Sequence, residues 1–116
     1  MSLIDIQKKV SQREFEYYKN LDKHLKEIKK RVKEILPDAK IYLFGSVVEG
    51  RYIPGKSDID VLIVSKKLSR TASEQAKIRV EILKDVGFLS PFEIHLADEE
   101  VFEYYKKNVK KLVEIN

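Results

Sequence analysis

Leu43-Phe44-Gly45-Ser46, then eleven residues, then Asp58-Ile59-Asp60-Val61-Leu62-Ile63-Val64, is the stretch whose reading decides how this chain folds. Residues 41–44 are apolar on both faces and end at a glycine, so they read as a short buried strand rather than more helix. Gly45-Ser46 turns the chain. Residues 50–57 carry two glycines, a proline and polar neighbours, the composition of a loop, and lead into a second strand over residues 58–64. That second strand is polar only where it begins.

Upstream, Tyr18, Leu21, Leu25, Ile28, Val32 and Ile35 recur alternately three and four apart, which predicts a long N-terminal helix within residues 1–37 with one apolar face. Pro37-Asp38 stops it, because proline removes a ladder donor and disfavours a helical residue before it. Downstream, Thr71 with Glu74 has the spacing of a capping box, opening a crossover helix through Ala76, Ile78, Val80, Ile82 and Leu83 to a stop near Gly87. Phe92-Glu93-Ile94-His95-Leu96 alternates, placing Phe92, Ile94 and Leu96 on one side of a strand and Glu93 with His95 on the other. Asp98, Glu99 and Glu100 suit the positive start of a final helix through Tyr104 to Lys107, with Lys110-Lys111 leading a short tail. The expected fold class is α/β (α+β): a small mixed sheet of three to four strands packed with helices, its core spanning residues 40–97. The helical stripe is expected to pack on that sheet, a homodimer contact being the alternative.

The length of 116 residues is that of one domain, residues 1–116, with no room for a separate substrate-recognition domain. The absence of cysteine excludes disulfides and zinc-thiolate sites, and no signal peptide or long apolar run is visible, so a soluble cytoplasmic protein with no membrane role is expected. Lys+Arg number 23 against 19 Asp+Glu, but the net +4 is spread among interspersed charges and does not identify a partner. Lysine clusters at Lys29, Lys30 and Lys33 and at Lys106, Lys107, Lys110 and Lys111 lack interleaved aromatics for base stacking, so nucleic acid is not the favoured partner. Richness in Lys, Glu and Ile without Cys or Trp is also a composition of heat-adapted proteins.

The chemistry begins with Asp58 and Asp60, whose spacing of two on a strand aims both carboxylates the same way. Paired carboxylates repel, and a divalent cation is their usual compensation. Glu93 lies on the other strand with a polar face and completes a cluster if the strands are neighbours. Three such carboxylates suit two Mg2+ (or Mn2+) ions roughly 3.5 to 4 Å apart, in the manner of two-metal displacement at phosphorus. Gly45 lets the backbone approach a phosphate without a Cβ in the way, and Ser46 offers an amide and a hydroxyl at a helix start. An Asp-x-Asp alone is as readily explained by turn capping. Capping does not explain its coincidence with Gly45-Ser46 and Glu93.

Gly45-Ser46 followed by Ser57-Asp58-Ile59-Asp60 resembles the signature of the DNA polymerase β-like nucleotidyltransferase superfamily, and most closely its minimal nucleotidyltransferases, over residues 41–96. The resemblance implies the nucleotidyltransferase fold, ATP as the donor, Gly45 and Ser46 as the phosphate turn, and Asp58, Asp60 and Glu93 as both the catalytic and the metal-binding carboxylates. Glu93 stands where aspartate is more frequent. Many members carry arginines just after the Gly-Ser turn; this chain has Val47 and Val48, leaving Arg51 or Lys56 to supply a nucleotide-binding cation. His95 reads as an electrostatic neighbour of the carboxylates and His24, among lysines, as solvated. Minimal nucleotidyltransferases are often paired with a helical HEPN protein in toxin-antitoxin modules, and some transfer AMP to a tyrosine of that toxin. The resemblance thus implies transfer onto a HEPN-like protein partner. The alternative is a catalytically weak or inactive antitoxin-like module that occludes its partner; transfer to a small molecule such as an aminoglycoside ranks last, for want of an obvious pocket.

Overall fold

The computed structural model of the chain describes residues 16–17, 19–87 and 90–116. Among them the element order is α1 (Leu21–Ile35), β1 (Lys40–Phe44), α2 (Ser46–Glu49), β2 (Ile59–Val64), α3 (Ala72–Leu83), β3 (Phe92–Ala97), α4 (Glu99–Asn108) and β4 (Val113–Glu114). The strands form one mixed sheet in the order β3-β2-β1-β4. β1 runs antiparallel to β2, with Phe44 opposite Asp60, and β2 runs parallel to β3, with Asp60 opposite Glu93. A parallel pair cannot be closed by a hairpin, and α3 is the crossover between its strands.

The two faces of the sheet follow from the two-residue period of β2. Ile59, Val61 and Ile63 join Leu25, Ile28 and Val32 of α1 and Ile82 of α3 in the main core. Leu62 and Val64 face the other way and, with Ala97, pack against Phe102 and Tyr105 of α4. The main core drives the fold: Ile28, Val32, Ile59, Val61 and Ile82 are wholly shielded from solvent, each contributing roughly 1.5–3 kcal/mol of burial. The α1 stripe therefore packs within the chain from Leu21 to Ile35. Tyr18, the first residue of the expected stripe, lies outside the described residues. Tyr17 packs on this core instead, and its hydroxyl donates to Val86 O at 3.0 Å.

Three local devices hold the layers in place. Thr71 caps α3 by accepting from the Glu74 amide at 3.4 Å, but the reciprocal half of the capping box is absent: Glu74 pairs with Lys77, and the Thr71 amide goes to Ser69 Oγ. Asp98 caps α4 through the Val101 amide at 2.9 Å. Asp38, in the turn after α1, accepts from Ser65 Oγ at 2.7 Å and from the Lys66 amide at 2.8 Å, tying that turn to the exit of β2. Those two donors hold the Asp38 carboxyl below its ordinary range.

Two expectations are corrected. His24 is not solvated: it is 19 % exposed, with its ring centroid 4.9 Å from that of Tyr17 and 6.1 Å from that of Phe92, because the α1 stripe is wide enough to bring it under β3. The tail is not merely a tail, since Val113 and Glu114 pair with Leu43 and Tyr42 as an edge strand. Among the described residues no helix is long and apolar enough to cross a membrane.

Candidate active site

The site gathers on the α4 side of the sheet, at the end where β1 finishes and β2 and β3 begin. Gly45 follows β1 with φ 78° and ψ −155°, a conformation that glycine alone adopts without strain. It caps α2, accepting from the Val48 and Glu49 amides at 3.2 and 3.1 Å, so Ser46 and Val47 occupy the first turn, whose amides lie outside the helical ladder. A Cβ added to Gly45 would collide with Asp60 Oδ2. The glycine is thus required twice, by its backbone angles and by the carboxylate pressed against it.

Asp60 projects from β2 beside Glu93 of β3, its partner across the parallel ladder. Asp58 lies one residue before β2 rather than within it and is exposed, close enough to the Glu93 carboxyl to act on it electrostatically. Partial desolvation and the neighbouring Asp58 and Asp60 carboxyl groups push the Glu93 carboxyl above its ordinary range, with His95 opposing. The Glu93 side chain is 53 % exposed. The structure thus brings Asp60 and Glu93 together beside Gly45, with Asp58 at the edge; the group whose ligand atoms lie within 4.8 Å of one another is Asp60, Glu93 and His95.

Arg51 and Lys56 are placed differently. Arg51 Nη2 pairs with Glu49 Oε1 at 3.2 Å, just beyond α2. Lys56 is exposed in a turn closed by its own amide on Ile53 O at 3.1 Å.

His95 is the residue whose part the sequence reading understated. Two positions beyond Glu93 on the same face, it sets Nε2 3.1 Å from Asp60 Oδ1 and 3.7 Å from Glu93 Oε1. Its ring packs against Phe44, with centroids 4.9 Å apart, and its Nδ1 is 3.4 Å from the Tyr105 hydroxyl of α4. Burial raises the Tyr105 phenol above its ordinary range and keeps it a neutral hydroxyl. The strand period alone carried the signal for His95; nothing local announced Phe44 or Tyr105 as its wall.

The model of the nucleotidyltransferase domain family matches residues 25–116. This chain belongs to that family. The nucleotidyltransferase domain is also similar to two crystal structures provisionally named nucleotidyltransferases. One is 40 % identical, with TM-score 0.67, over 80 % of this chain and 98 % of that one. The other, from Sulfolobus solfataricus, is 27 % identical, with TM-score 0.58, over 86 % of this chain and 83 % of its own. A CCA-adding enzyme of Methanopyrus kandleri is 40 % identical over 58 residues, half of this chain. The match spans only 12 % of that enzyme's length. The four-stranded mixed sheet with helices on both faces is the fold these nucleotidyltransferase neighbours share.

Proposed function

We propose that this domain moves a nucleoside monophosphate from a nucleoside triphosphate, with ATP as donor, to a hydroxyl on a helical protein partner of the HEPN type. The observation that carries nucleotidyl transfer is the meeting of Asp60 and Glu93, with Asp58 close by, at the Gly45 turn, where the missing Cβ leaves room for the Asp60 carboxylate. The donor set fits divalent cations: acidic groups converge from two adjacent strand ends, and partial desolvation together with the neighbouring carboxylates raises one of them. Asp58, Asp60 and Glu93 are the residues we assign to hold two Mg2+ or Mn2+ ions. When bound, such ions acidify an attacking hydroxyl and offset the charge of the triphosphate and departing pyrophosphate.

The chain's own groups supply the rest. Ser46, at the first turn of α2, offers its amide and hydroxyl to phosphate oxygens, and Gly45 lets that turn lie directly against the Asp60 carboxylate. Arg51 and Lys56, on the loop after α2, are the cations we assign to the triphosphate, the exposed Arg51 by exchanging its pair with the largely buried Glu49. In the reaction the acceptor hydroxyl loses its proton to a carboxylate of the cluster or to solvent, its oxygen bonds the α-phosphorus, the bridging bond to the β-phosphate breaks, and pyrophosphate leaves. Likeness to the CCA-adding enzyme supports nucleotidyl transfer and not that enzyme's acceptor, given how little of its length is shared.

The test is transfer of label from α-phosphate-labelled ATP to a purified HEPN-type partner. Labelling by the native chain that disappears with Asp60→Asn or Asp58→Asn is the expected result. Labelling that survives either change refutes the assignment, and partner binding without any labelling transfers the case to the occluding module.

A further inference from the structure

Within that nucleotidyltransferase reading, His95 has a role that the carboxylates do not exhaust. Its ring completes an aromatic triangle: Phe44 packs edge-on with centroids 4.9 Å apart, Tyr105 lies at 6.2 Å, and those two are 5.7 Å from each other. Only 24 % of the side chain is exposed. Of its two nitrogens, Nδ1 faces the Tyr105 hydroxyl, while Nε2 faces Asp60 Oδ1 and Glu93 Oε1 together. One ligand atom from each of Asp60, Glu93 and His95 lies within 4.8 Å of the others.

The two tautomers of the imidazole have different consequences. With the proton on Nε2, His95 donates to Asp60 and accepts from Tyr105. With the proton on Nδ1, the Tyr105 hydroxyl accepts it, and Nε2 turns a lone pair toward two carboxylate oxygens. Three electron-rich atoms then converge, an arrangement that a cation stabilises. A histidine ligand is ordinarily anchored through its other nitrogen, which is what Tyr105 is placed to do. The opposite side of Asp60 is already occupied, because Oδ2 lies against Gly45, so its Oδ1 is the oxygen that shares the ligand position with Nε2.

We infer that His95 Nε2 is a ligand to a cation held by Asp60 and Glu93, giving this site a mixed nitrogen and oxygen donor set that favours a first-row transition ion over Mg2+. Imidazole suits Zn2+, Fe2+, Ni2+ and Cu2+ best; Mn2+, the weakest binder of the first-row series, is the most demanding probe of a nitrogen ligand, whereas Mg2+ prefers oxygen ligands and retains its waters. Tyr105 is the positioning residue for that ligand.

The probe is Mn2+ alone, added to the full chain. Electron spin-echo envelope modulation reports nitrogen bound directly to Mn2+, and the native chain is expected to show it. His95→Gln removes the imidazole signal and weakens Mn2+ by tenfold or more while Mg2+ changes by less than about threefold, and Tyr105→Phe weakens Mn2+ by about tenfold with the nitrogen signal retained. Mn2+ bound with no nitrogen modulation means that His95 only donates to Asp60; this overturns the inference and leaves nucleotidyl transfer standing. Failure to take up Mn2+, together with failure to bind ATP, overturns both. The native spectrum decides the matter even if a variant does not fold.

Discussion

Gly45→Ala is the substitution for which the structure makes the sharpest forecast. Gly45 sits at φ 78° and ψ −155°, and any Cβ there meets Asp60 Oδ2 and comes 3.3 Å from Asp60 Cγ. The backbone strain is worth about 1–3 kcal/mol, and driving Asp60 off its rotamer adds about 0.5–1.5 kcal/mol. The neighbouring Gly50 provides an internal control: φ is 75° and ψ 18°, and nothing lies within 4 Å of its added Cβ. Gly50→Ala therefore bears only the left-handed penalty, about 1–2 kcal/mol, offset in part by the stiffer unfolded chain. With a shift of about 5 °C per kcal/mol for a domain of this size, Gly45→Ala melts roughly 10–20 °C below the native chain and Gly50→Ala within about 5–8 °C of it. Thermal unfolding followed by circular dichroism, with urea midpoints as a second measure, reads the difference. Equal melting of the two variants, or a larger loss at Gly50, refutes the claim that Asp60 is braced against the Gly45 backbone.

Other perturbations test other parts of the account. Ile28→Ala, at the centre of the α1 contact with the sheet, lowers stability by about 2–5 kcal/mol in urea denaturation, and a loss below 1 kcal/mol contradicts the core as described. The Asp38 carboxyl is depressed in the folded state, so its contribution is present above the ordinary aspartate value of 3.8 and lost as pH falls through the folded value. Native and Asp38→Ala chains thus differ in melting temperature at pH 7 and converge in acid; a gap that persists unchanged in acid opposes this assignment. Arg79 Nε donates to Ile94 O at 3.0 Å on β3, and Arg79→Met is expected to cost about 1 kcal/mol and speed amide exchange in β3. Unaltered exchange in β3 counts against Arg79 as the guard of that strand.

Much of the fold was legible because the deciding patterns are local. The α1 stripe, the apolar run of β2, the alternation of β3 and the Thr71 cap each need only a few neighbouring residues to be recognised. β4 was not legible as a strand, since Val113-Glu114 is two residues long, exposed, and made a strand only by pairing with Tyr42 and Leu43. The carboxylates were legible as a group, though Asp58 lies outside β2 and so is not aimed by the strand's period as Asp60 is. His95 and His24 show where local reading ends. The partners that define them, Phe44, Asp60 and Tyr105 for one and Tyr17 with Phe92 for the other, come mainly from distant elements, and no spacing around either histidine encodes those contacts.

The central claim is that Gly45, Asp58, Asp60 and Glu93 form a cation-dependent nucleotide site. Calorimetric titration of ATP into the native chain and into Asp58→Asn/Asp60→Asn, each with Mg2+ or Mn2+ and with chelator, measures it most directly. Binding that requires the cation and vanishes in the double variant is the predicted result. ATP binding that persists in the double variant or in chelator, or that is absent from the folded native chain, contradicts it.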